Sequence, residues 1–473
     1  MQLPLQDSSF NLDVTGIAGF FGGEEAISAM ASVHIYRGRR WLGWYNSPGS
    51  YTIGKKYGQL AKSRLWDGLY PGVNVDPAVM LELDGQTGPK YEGLASGTII
   101  KRTSHLGYLF ARYCRQQRPS TVVKGRTTTP SGVTIVHLTK APERELRPSL
   151  PSTFTPLIAL VAIGANLATC VIAGVYAQWY AFSMILLGML CNGFSCFVIG
   201  SGKLIFKHPI PPPAAPKGDG FLMDDDQVIV VKGPEGAVNS ITRGQFLLHY
   251  RSESEYHDIG ISSAALTIQF LLQLFLIPQS GLFGQILFLV SLAVSYAYNA
   301  FLSSIDKEKS QQHILLRIME PDGKLAMQKF VLPNRTSMTV FVMLTALPME
   351  MLTHPDESQR DRPRAVLDSF IPNSTPVWDV WKHVVLEDVQ RVFQKGGLRV
   401  GELPVDFSEQ MFMASEGDQA ALDGDERRLL SVLLRDARDG FNGFLEGVKN
   451  SHRMVDTGAP ELNMEVDEEE VKA

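Results

Sequence analysis

The chain has 473 residues, with 44 Lys and Arg against 49 Asp and Glu and a formal net charge of −5. Its length would suit about three domains, and its charged fraction of 20% lies below the roughly 25% of an average soluble domain. No Asp, Glu, Lys, Arg or His occurs between Arg147 and Lys203, or between Asp258 and Asp306. These two windows exclude an ordinary cytosolic enzyme and a disordered chain.

Each window is long enough for two membrane crossings, because a bilayer core of roughly 30 Å needs about 20 apolar helical residues. The first window predicts transmembrane helices at about 155–176 and 180–202, and the second at about 259–277 and 282–304. The predicted fold class is therefore an α-helical integral membrane protein, with four transmembrane helices as two hairpins and α+β cytosolic parts. The alternative is a pair of long hydrophobic hairpins buried in a soluble core.

Small and neutral polar residues recur at four-residue spacing within these spans. In the order of the spans, they are Ala165, Thr169, Ala173 and Ala177; Gly188, Asn192, Cys196 and Gly200; Ala265, Gln269 and Gln273; and Ser291, Ser295 and Asn299. Such residues allow close helix packing and interhelical hydrogen bonds in lipid, which predicts a packed four-helix bundle. The alternative is a polar permeation path past Asn192, Gln269, Gln273 and Asn299. The spans contain no ionisable residue, which argues against proton relays and ion-coupled sites.

The distribution of basic residues predicts the orientation. Twelve Lys and Arg residues flank the outer ends of the two hairpins, and the two turns inside the hairpins contain none. Because basic residues favour the cytoplasmic side, both termini and the central loop are predicted to be cytosolic. The sequence does not indicate which organelle's membrane is crossed.

The segment 1–147 is predicted to be a basic cytosolic part, with 18 Lys and Arg against 11 Asp and Glu. Its residues 101–147 carry a net charge of +8 and either obey the topology rule alone or also attract anionic lipid headgroups. Residues 14–33 look span-like, but their two glutamates favour a helix or loop packed in the soluble part. The Arg- and Trp-rich run 34–45 favours interfacial or core packing, and no nucleic-acid partner is expected.

The remaining soluble parts alternate between strand and helix patterns. Residues 203–258 are predicted to be a cytosolic proline-rich loop with a small β element, in which Asp224–Asp226 form a solvated turn in preference to a cation site. Residues 306–455 are predicted to be an acidic α+β domain, since 306–473 contains 20 Lys and Arg against 30 Asp and Glu. Its runs 313–319, 325–332 and 337–347 are predicted strands. Helices are predicted from Thr375–Pro376 and over about 425–448, and 456–473 is predicted to be a disordered acidic tail.

The sequence shows no recognised catalytic motif, and its four cysteines have neither disulfide nor zinc spacing. We therefore expect no metal and no cofactor, and the sequence favours a protein that is not an enzyme.

The run NGFSCFVIGSGKLIF at 192–206, with the following proline-rich loop and DDDQVIVVKGPEGAVNSITRGQF, resembles uncharacterised multi-pass membrane proteins of filamentous, mushroom-forming fungi. The resemblance covers about residues 130–350. It implies a membrane protein and transfers no functional residue.

Three functions are compatible with these observations. The first is a membrane-anchored scaffold or interaction platform, with the bilayer as partner and with self-association or protein partners through its oppositely charged terminal parts. The second is a small-solute transporter or channel component that uses the neutral polar residues of the spans. The third is a membrane-embedded enzyme that uses His249, His257 or Asp224.

Overall fold

A computed structural model of the chain describes most of its residues. The described residues are 21–36, 38–72, 75–140, 142–143, 145–146, 150, 155–250, 257–319, 325–348, 351, 361–395, 411–420 and 422–457. The predicted acidic tail from 458 onward and residues 14–20 of the span-like segment lie outside them.

The described α-helices are numbered here in chain order. They are α1 Gly23–Ile35, α2 Ser50–Gly58, α3 Arg64–Leu69, α4 Pro77–Met80, α5 His105–Gln116, α6 Thr155–Val175, α7 Trp179–Ile199, α8 Glu235–Thr242, α9 His257–Leu276, α10 Leu282–Ser303, α11 Lys307–Met319, α12 Arg335–Ala346, α13 Arg362–Phe370, α14 Pro376–Lys395, α15 Glu416–Gln419 and α16 Gly424–Thr457. Single 3-10 turns lie at Arg39–Trp41 and Ile277–Gln279.

The described strands form two sheets. They are β1 Lys90–Gly93, β2 Ile99–Ile100, β3 Thr121–Val122, β4 Ser131–His137, β5 Glu145–Leu146, β6 Lys203–Lys207, β7 Gly220–Met223, β8 Gln227–Lys232, β9 Gln245–His249 and β10 Ala326–Leu332. One sheet has the order β2-β1-β7-β8-β4-β10-β3 and the other β5-β6-β9. In the larger sheet β4–β8 and β10–β3 pair in parallel, and the other pairs are antiparallel.

The chain folds as two compact units, and neither unit is a continuous stretch of sequence. The first unit, the helical unit, comprises 1–86, 143–208 and 245–318, and the second, the sheet unit, comprises 87–142, 209–244 and 319–473. The predicted small β element of 203–258 is therefore divided. Its strands β6 and β9 pair in the three-stranded sheet of the helical unit, and β7 and β8 belong to the sheet unit.

The helical unit contains four apolar helices long enough to cross a membrane. They cover Leu157–Val175, Trp179–Ile199, His257–Gln279 and Leu282–Ser303. The third range includes the 3-10 turn that follows α9. These bounds agree with the predicted spans to within a few residues. The N-terminal helices pack on them, since α1 contacts α10 and α2 contacts α9. The helix at 23–35, predicted to pack in a soluble part, thus packs on an apolar helix of membrane length.

The core of the sheet unit lies where α12 packs against β8, β4 and β10 and against the long helix α16. Its largest fully buried side chains include Phe341, Trp381 and Phe441. The indole Nε1 of Trp381 donates to the carbonyl of Leu433 at 3.1 Å, which satisfies its polar atom within the core. Hydrophobic burial around these aromatic rings holds α12, α14 and α16 together.

Two predicted strands of the acidic part are helices. Residues 313–319 form the second half of α11, whose first turn is capped when Lys309 donates its backbone N–H to Asp306 Oδ1 at 2.9 Å. Residues 337–347 lie mostly in α12, which starts at the capping residue Asn334 and is buried from Thr336 to its end. A helix buried all round shows no amphipathic period, so its pattern resembles that of a buried strand.

Candidate functional site

Residues 42–49, here called the core loop, lie among buried polar side chains in the interior of the helical unit. These residues connect the 3-10 turn at Arg39–Trp41 to α2 without regular secondary structure. The core loop begins along α7, where Asn192 Nδ2 donates to the carbonyl of Gly43 at 2.8 Å. A Cβ on Gly43 would lie 2.3 Å from Cys196 Cβ, so only glycine allows the loop to approach the helix this closely.

Asn46 is the centre of the site, and no part of its surface is exposed. Its backbone N–H donates to Asn166 Oδ1 at 3.1 Å, and its Nδ2 donates to Ser291 Oγ at 2.9 Å. Gln273 Nε2 lies 3.5 Å from Asn46 Oδ1. A Cβ on Gly188 would lie 1.9 Å from that same oxygen. One residue of the core loop therefore contacts all four apolar helices.

A second set of hydrogen bonds holds the flanking loop residues. Tyr45 OH donates to Asn299 Oδ1 at 2.7 Å, and Asn299 Nδ2 donates to Ser47 Oγ at 3.1 Å. Asn166 Nδ2 donates to Ser295 Oγ at 2.9 Å, which joins α6 to α10. Each of these groups is neutral at any physiological pH, so the arrangement binds by hydrogen bonding and carries no charge.

Three of the four contacts of Asn46 fall at the middle of their helices. Asn166 in α6, Gly188 in α7 and Ser291 in α10 each lie within two residues of their helix midpoints. At a rise of about 1.5 Å per residue, the tip of the core loop lies within about 3 Å of the centre of these three helices, whereas Gln273 lies in the second half of α9. Irregular backbone at this level is tolerated because its polar groups are bonded to protein.

The structure gives a position to each residue singled out from the sequence. Asn192, Asn299, Gln273 and Gly188 all contact the core loop. Gly200 lies further along α7, where its Cβ would meet Arg40 Cβ at 2.7 Å. The small-residue stripe of α7 therefore packs against residues 40–46, and not only against another span as the bundle prediction implied.

Gln269 is also buried, with none of its surface exposed, but neither its Nε2 nor its Oε1 has a hydrogen-bond partner. It lies one helical turn before Gln273 on α9, on the same face of the helix. The core loop thus contacts the amide nitrogen of Gln273 but gives Gln269 no hydrogen-bond partner.

Sequence reasoning missed Asn166, Asn46 and Tyr45. Asn166 lies beside the predicted stripe of the first span, of which Thr169 and Ala173 are buried while Ala177 is exposed. Its signal was available, because any carboxamide inside a charge-free window needs a partner in lipid. Asn46 and Tyr45 gave no such signal, because they lie in a polar stretch far from the spans in sequence.

The remaining candidate features are metal-ligating and nucleophilic side chains. No group of three or more His, Cys, Asp or Glu that could hold a metal ion is found among the described residues. Asp224 is paired with Arg115 at 2.5 Å. The four cysteines are all buried, and burial raises the pKa of Cys114, so this thiol is poorly suited to act as a nucleophile.

Two basic residues of the stretch 101–147 form ion pairs within the sheet unit. Arg126 Nη2 lies 2.5 Å from Asp436 Oδ2, and that carboxylate has no exposed surface. Together with the Arg115–Asp224 pair, this contact occupies two of the basic residues. The prediction of headgroup binding by this stretch therefore depends on its other exposed basic residues, which among the described residues are Lys101, Arg102, Arg118, Lys124 and Lys140.

One histidine outside the apolar helices has a strongly shifted pKa. His34, near the end of α1, is 6% exposed, and its Nδ1 lies 3.0 Å from the carbonyl oxygen of Gly202. Burial disfavours the charged imidazolium and lowers the pKa of His34 to about 4, although the carbonyl contact acts in the opposite direction. His34 is therefore neutral near pH 7.

Four apolar helices of membrane length, together with further helices and mixed sheets, define the class of a membrane protein with α+β parts. Comparison with protein-family models, curated proteins and solved structures finds no match to this chain.

Proposed function

We propose that this chain is a four-span integral membrane protein that serves as a membrane-anchored platform. The helical unit anchors it in the bilayer, and the sheet unit is the soluble part that it presents to partners. The observation that carries this proposal is the composition of the larger sheet.

That sheet takes its strands from three separate stretches of the chain. β4 precedes the first apolar helix, β8 lies between the second and third, and β10 follows the fourth. β4 pairs with β8 over 132–137 and with β10 over 131–137. Strands can pair in this way only if all three stretches lie on the same side of the membrane. Two complete hairpins, each returning to its starting side, meet this requirement.

The flanking charges favour the cytosol as that side. Twelve Lys and Arg residues flank the outer hairpin ends, and none lies in the inner turns. Only the short turns near Gln178 and Gln279 would then reach the opposite side. In this arrangement the core loop is a re-entrant segment, because it enters the bundle from the cytosolic side, reaches the helix midpoints and leaves through α2 on the same side.

The hydrogen bonds of the core loop support an anchoring role over a permeation path. Asn192, Asn299 and Gln273, which the sequence offered as path-lining residues, direct amide groups at the loop. Side chains engaged in this way hold protein to protein. The loop also fills the middle of the bundle, where a solute path past these residues would have to run.

Cysteine labelling tests the topology on the whole protein. The native cysteines are buried, so single exposed cysteines report cleanly. Lys124→Cys, Lys217→Cys and Arg428→Cys each place a thiol at an exposed position of one stretch of the sheet unit, and Gln279→Cys places one in an exposed inner turn. In sealed membranes, a membrane-impermeant maleimide should reach Gln279→Cys from one side only and the other three positions from the opposite side only.

The outcomes separate the alternatives. Labelling of the three sheet-unit positions on opposite sides of the membrane would refute the shared sheet and the platform with it. Labelling of all four positions from one and the same side of the sealed membrane would refute membrane insertion. Extraction of the protein by alkaline carbonate without detergent would do the same, because peripheral proteins are released under that treatment and spanning proteins are not.

A further inference from the structure

We propose that Gln269 and Gln273 form a binding site, inside the helix bundle, for a small uncharged hydroxyl-bearing molecule. The site lies beside the core loop, and Gln273 borders the loop's hydrogen-bonded centre at Asn46. Its ligand class is the O–H group shared by water and small polyols. The proposal goes beyond the anchoring role, because it needs only the packing of the helical unit and not its orientation.

The two glutamines leave three side-chain atoms without partners. Gln269 has no exposed surface, and both its Nε2 and its Oε1 are unbonded. Gln273 is 2% exposed, its Nε2 makes only the long 3.5 Å contact to Asn46, and its Oε1 is unbonded. A buried carboxamide without partners is strongly disfavoured in an apolar interior. A ligand with its own donor and acceptor would remove this penalty.

The elements packed against α9 carry further unbonded polar atoms. Ser50 at the start of α2 and Ser195 in α7 are each 1% exposed, and neither Oγ has a partner. Both α2 and α7 pack on α9. The rings of Tyr51, next to Ser50, and Phe270, next to Gln269, are tilted to each other with centroids 5.3 Å apart. The further unbonded atoms therefore lie on two helices that pack on α9.

The chemistry of these groups selects the ligand class. A carboxamide offers one acceptor and two N–H donors, and a serine hydroxyl offers a donor and an acceptor. A molecule whose O–H both donates and accepts matches this set. An ion does not, because α7, and α9 beyond Asp258, carry no Asp, Glu, Lys, Arg or His to balance its charge.

Nuclear magnetic resonance on the full-length protein in nanodiscs tests this directly. Protein labelled with ¹⁵N-glutamine gives a side-chain signal for Gln269, which Gln269→Asn and Gln269→Leu variants each identify by its loss. We expect a cross-peak between the Gln269 amide protons and water, and a cross-peak to glycerol when glycerol is added. Gln311 is the matched control, since it has no exposed surface, its Nε2 donates to the carbonyl of Glu82 at 3.1 Å and neither of its side-chain polar atoms is among the unbonded buried ones.

The two probes distinguish the sources of the hydroxyl. A water cross-peak alone assigns the site to water, and a glycerol cross-peak that replaces it assigns the site to a polyol. If Gln269 shows neither cross-peak, and so behaves like Gln311, the proposal is wrong.

A stability measurement gives a second, independent test. Glycerol raises the unfolding temperature of most proteins, so the relevant quantity is the difference between wild type and Gln269→Leu. We expect a larger glycerol-dependent rise for wild type than for the variant. Equal shifts for the two proteins would overturn a ligand role for Gln269, whatever their unfolding temperatures in the absence of glycerol.

Discussion

Replacing Gly188 by alanine should displace the core loop. The new Cβ would lie 1.9 Å from Asn46 Oδ1, whereas ordinary contacts lie at 3.4–4 Å. Asn46 has little freedom to move, because its N–H and Nδ2 are bonded to Asn166 and Ser291. Overpacking of this kind costs about 1–3 kcal/mol, and each interhelical hydrogen bond lost in a membrane adds about 0.6 kcal/mol. We expect a loss of about 2–4 kcal/mol in the free energy of unfolding.

The native cysteines provide the assay. Cys196 is 7% exposed and is covered by Gly43 of the core loop, so its thiol should react when the loop leaves α7. With the other three cysteines replaced by alanine, a thiol-reactive dye should label Gly188→Ala at a temperature several degrees lower than the parent.

Gly164→Ala is the matched control, since Gly164 also lies in an apolar helix and a Cβ there meets no atom within 4 Å. This variant should be neutral or slightly stabilising. If the two alanine variants unmask Cys196 at the same temperature, the packing argument for the core loop is refuted.

Three further predictions concern single side chains. Arg126→Ala leaves the buried Asp436 carboxylate unpaired and should lower the stability of the sheet unit by about 3 kcal/mol. The measurement is the temperature at which the buried Cys114 becomes reactive, which should fall. The control Arg428→Ala breaks the exposed pair with Asp425 and should change the stability by less than about 0.5 kcal/mol. The pKa of His34 is lowered to about 4 in the folded chain, so the unfolded chain takes up the proton first as the pH falls below about 6.5. The free energy of unfolding should therefore fall by about 3 kcal/mol between pH 6.5 and 4. His34→Gln should weaken this pH dependence, measured by melting the protein at a series of pH values. Two glycosylation acceptor sequences, Asn334-Arg-Thr336 and Asn373-Ser-Thr375, should remain unmodified in a cytosolic sheet unit. Endoglycosidase treatment should therefore cause no mobility shift of the protein. A shift that Asn373→Gln abolishes would place the sheet unit on the opposite side of the membrane.

The structure makes Asn373 the more informative of the two acceptor sites. Asn334 is 2% exposed, and its side chain caps α12 by accepting the N–H of Ser337 at 2.8 Å, while its Nδ2 donates to the carbonyl of Arg126. A glycan on that amide is incompatible with the fold. Asn373 is exposed, so its modification reports topology without disturbing the core.

The apolar helices were predictable because their signal is local. A charge-free run of about 20 residues sets both the existence and the length of a span, and the helix bounds follow the predicted ones closely. The strand at 326–332 and the helices from Pro376 and Gly424 were predicted for the same reason, since each shows its own periodicity or cap. Residues 337–347 gave no such period, because α12 is buried on every side.

The position of the core loop was not predictable, because the residues that hydrogen-bond to it lie far away in sequence. Asn46 bonds to residues 120 and 245 positions away, and Tyr45 bonds to one 254 positions away. The glycine and asparagine stripe of α7 correctly indicated a close approach, but a stripe does not specify what approaches it. A neighbouring span was the expected partner because it is the nearest apolar element, whereas residues 40–46 fill that face.

The same long separations imply an order of assembly. Asn166, Asn192 and Asn299 find their partners in a loop that is made before any of them, and Asn166 needs α10 as well. The Asn166–Ser295 bond and both bonds of Asn299 form only when the fourth apolar helix is in place, which makes closure of the bundle a late step. The larger sheet has the same property, because β4 is made early but gains β10 only after that helix. Both units are therefore completed by the residues that follow Leu282, and truncation before that point should leave neither of them folded.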